Sequence, residues 1–384
     1  GEANAALAYS IDDSVVGSPV AGTGTVSSVG AISISGINLS ALIDGTITAS
    51  VTLTDAAGNS GTAGTDTATK DTVAPSVVSV IMSDVALKIG DTSTITITLS
   101  EAASGFTAAD VTVENGSIGA LAGGPTVYTA TFTPTANIED ATNVVTVGTA
   151  WTDIALNAPS AGGTSLNYTV DTKAPTAAIT YSDADALVKA GDVLTITATF
   201  SEPLAGAPVV KIALSGANTV AATAMTFVDS THYTYTHTVG AGDGAVTAAF
   251  SVGTDVAGNT VVAAPTSGAT FTVDNTPPTL VITLSDVALK IGDTSTVTFT
   301  WSEAVTGFDN AYVSLFENAT LGVISGGPII YTATLTPNAP IEDATNILRV
   351  TKTGVLDIAL NAGVGTQDSP NYAIDTEAPS VVSI

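Results

Sequence analysis

Short runs in which polar and apolar residues alternate recur along the whole chain. Thr94-Ile95-Thr96-Ile97-Thr98-Leu99, Thr195-Ile196-Thr197-Ala198-Thr199-Phe200 and Val297-Thr298-Phe299-Thr300-Trp301 all step with a period of two, which sends alternate side chains to opposite faces of a strand. β-Branched residues dominate these runs, and clusters of Gly, Asn and Asp interrupt them about every 8 to 12 residues, as in an antiparallel sandwich. No stretch sustains a helical period. The pattern predicts an all-β chain with about seven strands, A to G, to each sandwich. In the clearest stretch the strands fall near 77–82 (A), 92–99 (B), 109–114 (C), 126–132 (E), 143–149 (F) and 165–170 (G).

The pattern also repeats on a larger scale. Asp71-Thr72-Val73-Ala74-Pro75 returns as Asp171-Thr172-Lys173-Ala174-Pro175, Asp274-Asn275-Thr276-Pro277-Pro278 and Asp375-Thr376-Glu377-Ala378-Pro379, with prolines 100, 103 and 101 residues apart. A fixed period of this size means tandem domains. It divides the chain into a partial domain at 1–71, domains at 72–171, 172–274 and 275–375, and the first strand of a further domain at 376–384. The run Ser83 to Thr94 reappears unchanged at Ser285 to Thr296, so the second and fourth repeats are close copies. The third is divergent, keeping Gly191-Asp192 and Ser201-Glu202. The first repeat has the late features of a unit, the Asp44-Gly45 turn, a strand at 46–54 and the loop Asp55 to Asn59, and is expected to lack strands A and B. Both ends read as cuts through a longer array. A sharper reading has the last strand of one copy completing the first domain of another by strand addition.

Composition excludes several function classes. The 384 residues carry 35 Asp and Glu against 8 Lys and Arg, a net charge of −27, yet only 11% are charged and 45% are hydrophobic, unlike a disordered acidic tail. No two cationic residues are adjacent, so nucleic acid and anionic membrane surfaces are not expected partners. No apolar run approaches the roughly 20 residues of a spanning helix, which argues against direct membrane insertion, and Gly1-Glu2-Ala3-Asn4 does not resemble a signal peptide. With no Cys, and with His232 and His237 the only histidines, disulfides, thiolate zinc sites and most acid–base catalysis are gone.

The Asp-Thr-x-Ala-Pro linkers, the Asp-x-Ala-Gly-Asn loops (Asp55 to Asn59 and Asp255 to Asn259, varied as Asp153 to Asn157 and Asp357 to Asn361) and the Gly-Asp-Thr then Ser-Glu frame together resemble bacterial immunoglobulin-like repeats. Repeats of this kind build the extender regions of giant calcium-dependent surface adhesins of Gram-negative bacteria. The resemblance implies tandem Ig-like β-sandwiches in a linear rod, extracellular and attached to the bacterial cell surface, each domain's main partner being its neighbour in the chain and calcium the cofactor. No segment resembles a ligand-binding tip, a secretion repeat or a membrane anchor. Pro277-Pro278 departs from the linker pattern.

Sandwich topology places the acids. The B-C and F-G turns share the pole at which the chain enters, so Glu101 and Asp153 should face the linker residue Asp71. The same reasoning groups Asp171 with Glu202 and Asp255, and Asp274 with Glu303 and Asp357. The opposite pole offers Asp91 and Glu139-Asp140 in the second repeat, and Asp192 and Asp243 in the third. Carboxylates this close repel when empty. Ca2+ relieves the repulsion with six to eight oxygen ligands in loose geometry, whereas Mg2+ demands a strict octahedron. Against this stands the ordinary reading that turn Asp and Asn bond local backbone.

Other candidates are weaker. His232 and His237 lie on one strand with opposite parity and cannot share a site. Gly240 to Gly244 has the glycines of a phosphate loop without the helix that should follow. Glu139-Asp140 and Glu342-Asp343 are adjacent in sequence and cannot flank a glycosidic bond. Trp151 and Trp301 are expected in the core. The chain therefore reads as a non-enzymatic extender of a surface adhesin. The alternatives are a self-associating surface-layer or filament subunit and, ranked last, a carbohydrate-binding module.

Overall fold

The computed structural model describes residues 3–15, 17, 19–27 and 30–382. The chain divides into two compact units, Gly1–Lys173 and Ala174–Ile384. Among the described residues no helix is long and apolar enough to cross a membrane.

The first unit begins with one antiparallel sheet ordered Val20–Thr25, Ala6–Asp12, Gly45–Thr54, Gly64–Lys70. No facing sheet forms among the described residues before the Asp71 linker, and the apolar residues buried there are few: Ala5, Leu7, Val26, Leu42 and Ile47. Ile32 and Ile34, which alternate as a strand would, stay exposed and unpaired with any strand.

The second repeat is a full sandwich. One sheet runs Gly116–Ile118, Val127–Pro134, Ser93–Leu99, Val77–Met82. Opposite lie Val111–Val113, Val145–Val147 and Gly163–Thr164, together with Glu139–Asn143, Tyr168–Asp171 and Ala86–Lys88. The alternation predicted for strand B is what the burial shows, with Ser93, Ile95, Ile97 and Leu99 inward and Thr94 exposed. Ile95 and Ile97 are fully buried, each contributing about 1.5 to 3 kcal/mol. Phe132, Val145, Val147, Tyr168 and Val170 close the core from the other strands.

The second unit holds two sandwiches. In the third repeat the sheet Ala177–Tyr181, Val193–Phe200, His232–Thr238, Thr226–Phe227 faces Leu187–Val188, Thr270–Val273, Gly244–Ser251, Lys211–Gly216, Val220–Ala224. In the fourth, Leu280–Leu284, Ser295–Trp301, Ile330–Pro337 and Ala319–Leu321 repeat the pairing of the second. Each sandwich has its own buried cluster. In all three a strand of two or three residues after strand A pairs in parallel with strand G, as Ala86–Lys88 does with Tyr168–Asp171.

Trp151 and Trp301 are both buried. They occupy different sequence positions, however. Trp301 stands on strand B where the second repeat has Leu99, and Trp151 stands after strand F where the fourth has Val355. Both indoles meet the same phenylalanine edge-on, Phe106 at 5.4 Å and its counterpart Phe308 at 5.3 Å. The exchange of a large and a small residue keeps that volume filled.

The strand expected near the C-terminus is not seen in the described residues, since 378–382 has no ladder. Its sequence, Ala378-Pro379-Ser380-Val381-Val382, matches Ala74 to Val78, but an A strand is fixed by the B strand beside it, and none pairs with it among the described residues. Ser383 and Ile384 lie outside the described residues.

Candidate metal centres

Two of the three acid groups lie each within one compact unit. One carboxylate oxygen apiece from Asp71, Glu101 and Asp153 lie within 4.8 Å of one another, and so do those of Asp274, Glu303 and Asp357. Of the third group, Glu202 and Asp255 are buried in the second unit, while Asp171 ends the strand Tyr168–Asp171 in the first.

Local chemistry explains how each acid reaches its place. The linker Asp closes a turn: Val73 N–H donates to Asp71 Oδ1 at 3.0 Å, and Thr276 N–H to Asp274 Oδ1 at 3.0 Å. The Glu follows a serine clamp. Ser100 N–H donates to the Ser76 carbonyl and Ser76 N–H to Ser100 Oγ, both at 2.9 Å. Ser302 and Thr279 reproduce both bonds at 2.9 Å. This ties the end of strand B to the start of strand A and sets Glu101 and Glu303 beside the linker.

The third acid is held in a box with the Asn four residues on. Asn157 donates its N–H and its Nδ2 to Asp153, at 2.9 and 2.8 Å, and Asn361 does the same to Asp357, at 2.8 and 2.9 Å. The same amide nitrogen also donates to the carbonyl of the linker Asp, 3.2 Å for Asn157 to Asp71 and 2.9 Å for Asn361 to Asp274. One side chain thus joins the F-G loop to the linker. Sequence reading found the loop but missed this role of Asn157 and Asn361, and it missed Ser100 and Ser302 although Ser precedes Glu in all three repeats. The first repeat builds the box too, from Asp55 and Asn59, but in an exposed loop.

Partial burial, then the charges of Asp71 and Asp153, pushes the Glu101 carboxyl above its ordinary range. Burial, then Asp274 and Asp357, does the same to Glu303. None of these six acids pairs with a Lys, Arg or His among the described residues. Two oxygens on opposite sides of a calcium ion are about 4.6 to 5.2 Å apart, from ligand distances of about 2.3 to 2.6 Å. A span of 4.8 Å across an all-oxygen donor set therefore suits one shared hard cation.

The acids of the opposite pole do something else. Asp91 accepts from Lys88 Nζ at 2.8 Å and from Lys88 N–H, and Asp192 accepts from Lys189 N–H at 2.9 Å. Asp140 accepts from Thr142 N–H and Asn115 Nδ2, and Asp243 from Asn275 N–H. Asp91, Asp140 and Asp192 bond within their own repeats, Asp243 ties its turn to the linker residue Asn275, and none joins the acid groups found among the described residues. The hydrogen bond from the Lys88 ammonium holds the Asp91 carboxyl below its usual range, and the Thr142 N–H does so for Asp140. His237 is buried, with Nε2 2.9 Å from Asn218 Oδ1, while His232 lies partly exposed against Asp229.

The profile of the bacterial Ig-like domain family matches residues 71–170 and 274–374. No curated protein matches the chain. Among solved structures, the Escherichia coli adhesin FdeC is 18% identical, with 79% of this chain and 99% of that one covered and a TM-score of 0.29. A tetra-tandem repeat from the extending region of a large adhesion protein is 19% identical, with coverage of 98% and 93% and a TM-score of 0.26. The I67–I69 fragment of titin is 12% identical, with coverage of 80% and 100% and a TM-score of 0.30.

Proposed function

The chain belongs to the bacterial Ig-like domain family, and from that premise we propose that it is a non-enzymatic structural extender of a secreted, surface-attached bacterial adhesin, stiffened by calcium where one domain meets the next. The observation that carries this reading is the repeated acid trio: linker Asp, B-strand Glu and F-G Asp, without a cationic partner among the described residues, at Asp71 and again at Asp274. The linker Asp belongs to the connection and the other two acids to the following sandwich, so a shared ion would restrain the linker against that sandwich. The ion's role here is mechanical: two positive charges cancel the mutual repulsion of the acids. Extracellular calcium modules bind with dissociation constants on the order of 0.1 to 1 mM, which would keep such a chain stiff outside the cell.

Small-angle X-ray scattering and thermal melts with millimolar calcium, then with excess chelator, test the proposal. Calcium should extend and stiffen the particle and raise the melting temperature, and Glu303→Gln with Glu101→Gln should remove most of that gain. An unchanged profile and melting temperature on chelation would reduce the acids to ordinary turn residues. Growth of the particle with protein concentration would favour lateral assembly instead.

A further inference from the structure

Within each compact unit one F-G loop can be compared with the repeat before it, and the two loops differ in what covers them. Their own hydrogen bonds match: Leu156 N–H donates to the Asp153 carbonyl and Leu360 N–H to that of Asp357. Both leucines adopt a left-handed backbone, φ +72° and +67°, where the first and third repeats use Gly58 and Gly258. Yet Ile154 and Leu156 are 73% and 75% exposed, against 46% and 57% for Ile358 and Leu360. Ala155 is exposed, whereas Ala359 is buried. Since the loop conformation is shared, the difference comes from what lies against it.

Against the loop at 357–361 lies the A-B turn of the third repeat. Lys189 Nζ donates to the Leu360 carbonyl at 2.6 Å. Its counterparts stay at home: Lys88 pairs with Asp91 at 2.8 Å and Lys290 with Asp293 at 3.5 Å. The same turn is anchored from the other side by the linker, because Ala190 N–H donates to Asn275 Oδ1 at 2.6 Å while Asn275 Nδ2 donates to the Gly242 carbonyl at 2.6 Å. The other linkers have Thr at this position, and Thr172 and Thr376 reach only the E-F turn. Among the described residues no side chain of the first repeat bonds the Leu156 carbonyl in this way, and that repeat is a single sheet of Ala6–Asp12, Val20–Thr25, Gly45–Thr54 and Gly64–Lys70.

We propose that the A-B turn of the third repeat is a docking surface for the F-G loop of the fourth, held by Lys189 and Asn275, and that this contact fixes the Asp274 junction without metal. The Asp71 junction has no such brace. Beyond the linker's own bonds, Asn157 Nδ2 to the Asp71 carbonyl and Thr72 to Asp44, its order on the calcium reading above depends on the ion.

The test uses the full chain, whose lack of cysteine lets each labelling pair be the only thiols present. Spin labels at Val228 and Val323 span the Asp274 junction, and labels at Thr65 and Leu166 span the Asp71 junction. Pulsed EPR distance distributions are recorded in about 10 mM calcium chloride, tenfold the weaker site affinities, and in excess EGTA. The Val228–Val323 distribution should stay narrow in EGTA and should broaden at least about twofold when Lys189→Met is combined with Asn275→Thr. Broadening of that distribution in EGTA without any substitution overturns the proposal, as does a narrow distribution that the double substitution leaves unchanged. The Thr65–Leu166 pair separates the two ideas: if it ignores calcium, the calcium reading fails while the brace still stands or falls on the substitutions.

Discussion

Replacing Trp151 by Val and Leu99 by Trp would rebuild in the second repeat the arrangement that the fourth already has. Alone, Trp151→Val removes an indole that is 2% exposed and packs on Phe106, and the cavity should cost about 2 to 4 kcal/mol. Alone, Leu99→Trp forces a second indole into the same filled space, a cost of about 1 to 3 kcal/mol. Independent effects would sum to about 3 to 7 kcal/mol. If the two positions share one volume, the double substitution instead costs only what the new indole N–H loses. Trp151 Nε1 donates to the Gly148 carbonyl at 3.0 Å, whereas Trp301 Nε1 is buried without a partner. An unsatisfied donor costs about 1 to 3 kcal/mol, so from the middles of the two ranges the coupling should be about 3 kcal/mol in favour of the pair. Hydrogen exchange of the Ser93–Leu99 amides measures the repeat's own stability in the intact chain, with the unaltered Ser295–Trp301 strand as internal reference. A double variant as unstable as the sum of the single ones would refute the shared volume.

Two further outcomes follow from single side chains. His237 is buried and its pKa is lowered by that burial, so above the ordinary value near 6.5 it is neutral both folded and unfolded and contributes no pH dependence. Below that value the unfolded chain takes up the proton first, and the third repeat should lose stability as pH falls toward 5. His237→Leu, which installs the residue that the fourth repeat carries at the matching position, Leu335, should flatten that loss in melts of the intact chain. Asn361→Ala removes the amide that bonds both Asp357 and the Asp274 carbonyl, leaving a buried carboxylate short of a donor. The fourth repeat should lose about 1 to 3 kcal/mol by hydrogen exchange, and an unchanged value would show that the box contributes nothing.

Strands A, B and E were legible because their apolar residues alternate against a wet outer face, the pattern that periodicity detects. The predicted strand at 92–99 is observed as Ser93–Leu99 and that at 77–82 as Val77–Met82. Strand C was less clear because a capped 3-10 turn, Ala108–Asp110, precedes Val111–Val113 and shortens it. The short parallel strands such as Ala86–Lys88 left no signal, since two or three residues cannot show a period. Proximity of Asp71, Glu101 and Asp153 followed from topology alone, because turns at one pole must meet. Asp91, Asp140, Asp192 and Asp243 show where that argument stops: position at a pole does not reveal whether a carboxylate is already engaged by its own turn. The reach of Lys189 was equally hidden, since its sequence context, Lys-x-Gly-Asp, matches that of Lys88, whose ammonium bonds only Asp91 of its own turn among the described residues.

The pairing of Val77–Met82 with Ser93–Leu99 and of Leu280–Leu284 with Ser295–Trp301 has a consequence for how the chain is made. The two hairpins share an identical connection, Ser83 to Thr94 and Ser285 to Thr296, although their strand residues differ, and neighbours of like sequence in an array misassemble by trading such segments. Here the two copies are separated by a repeat whose B strand, Val193–Phe200, has different residues. A chain synthesised from its N-terminus at about 5 to 20 residues per second would have tens of seconds at the slower rates to close the first hairpin before its double emerged. Divergence of the middle repeat thus acts as a spacer in time, insulating two like sequences from each other on the ribosome.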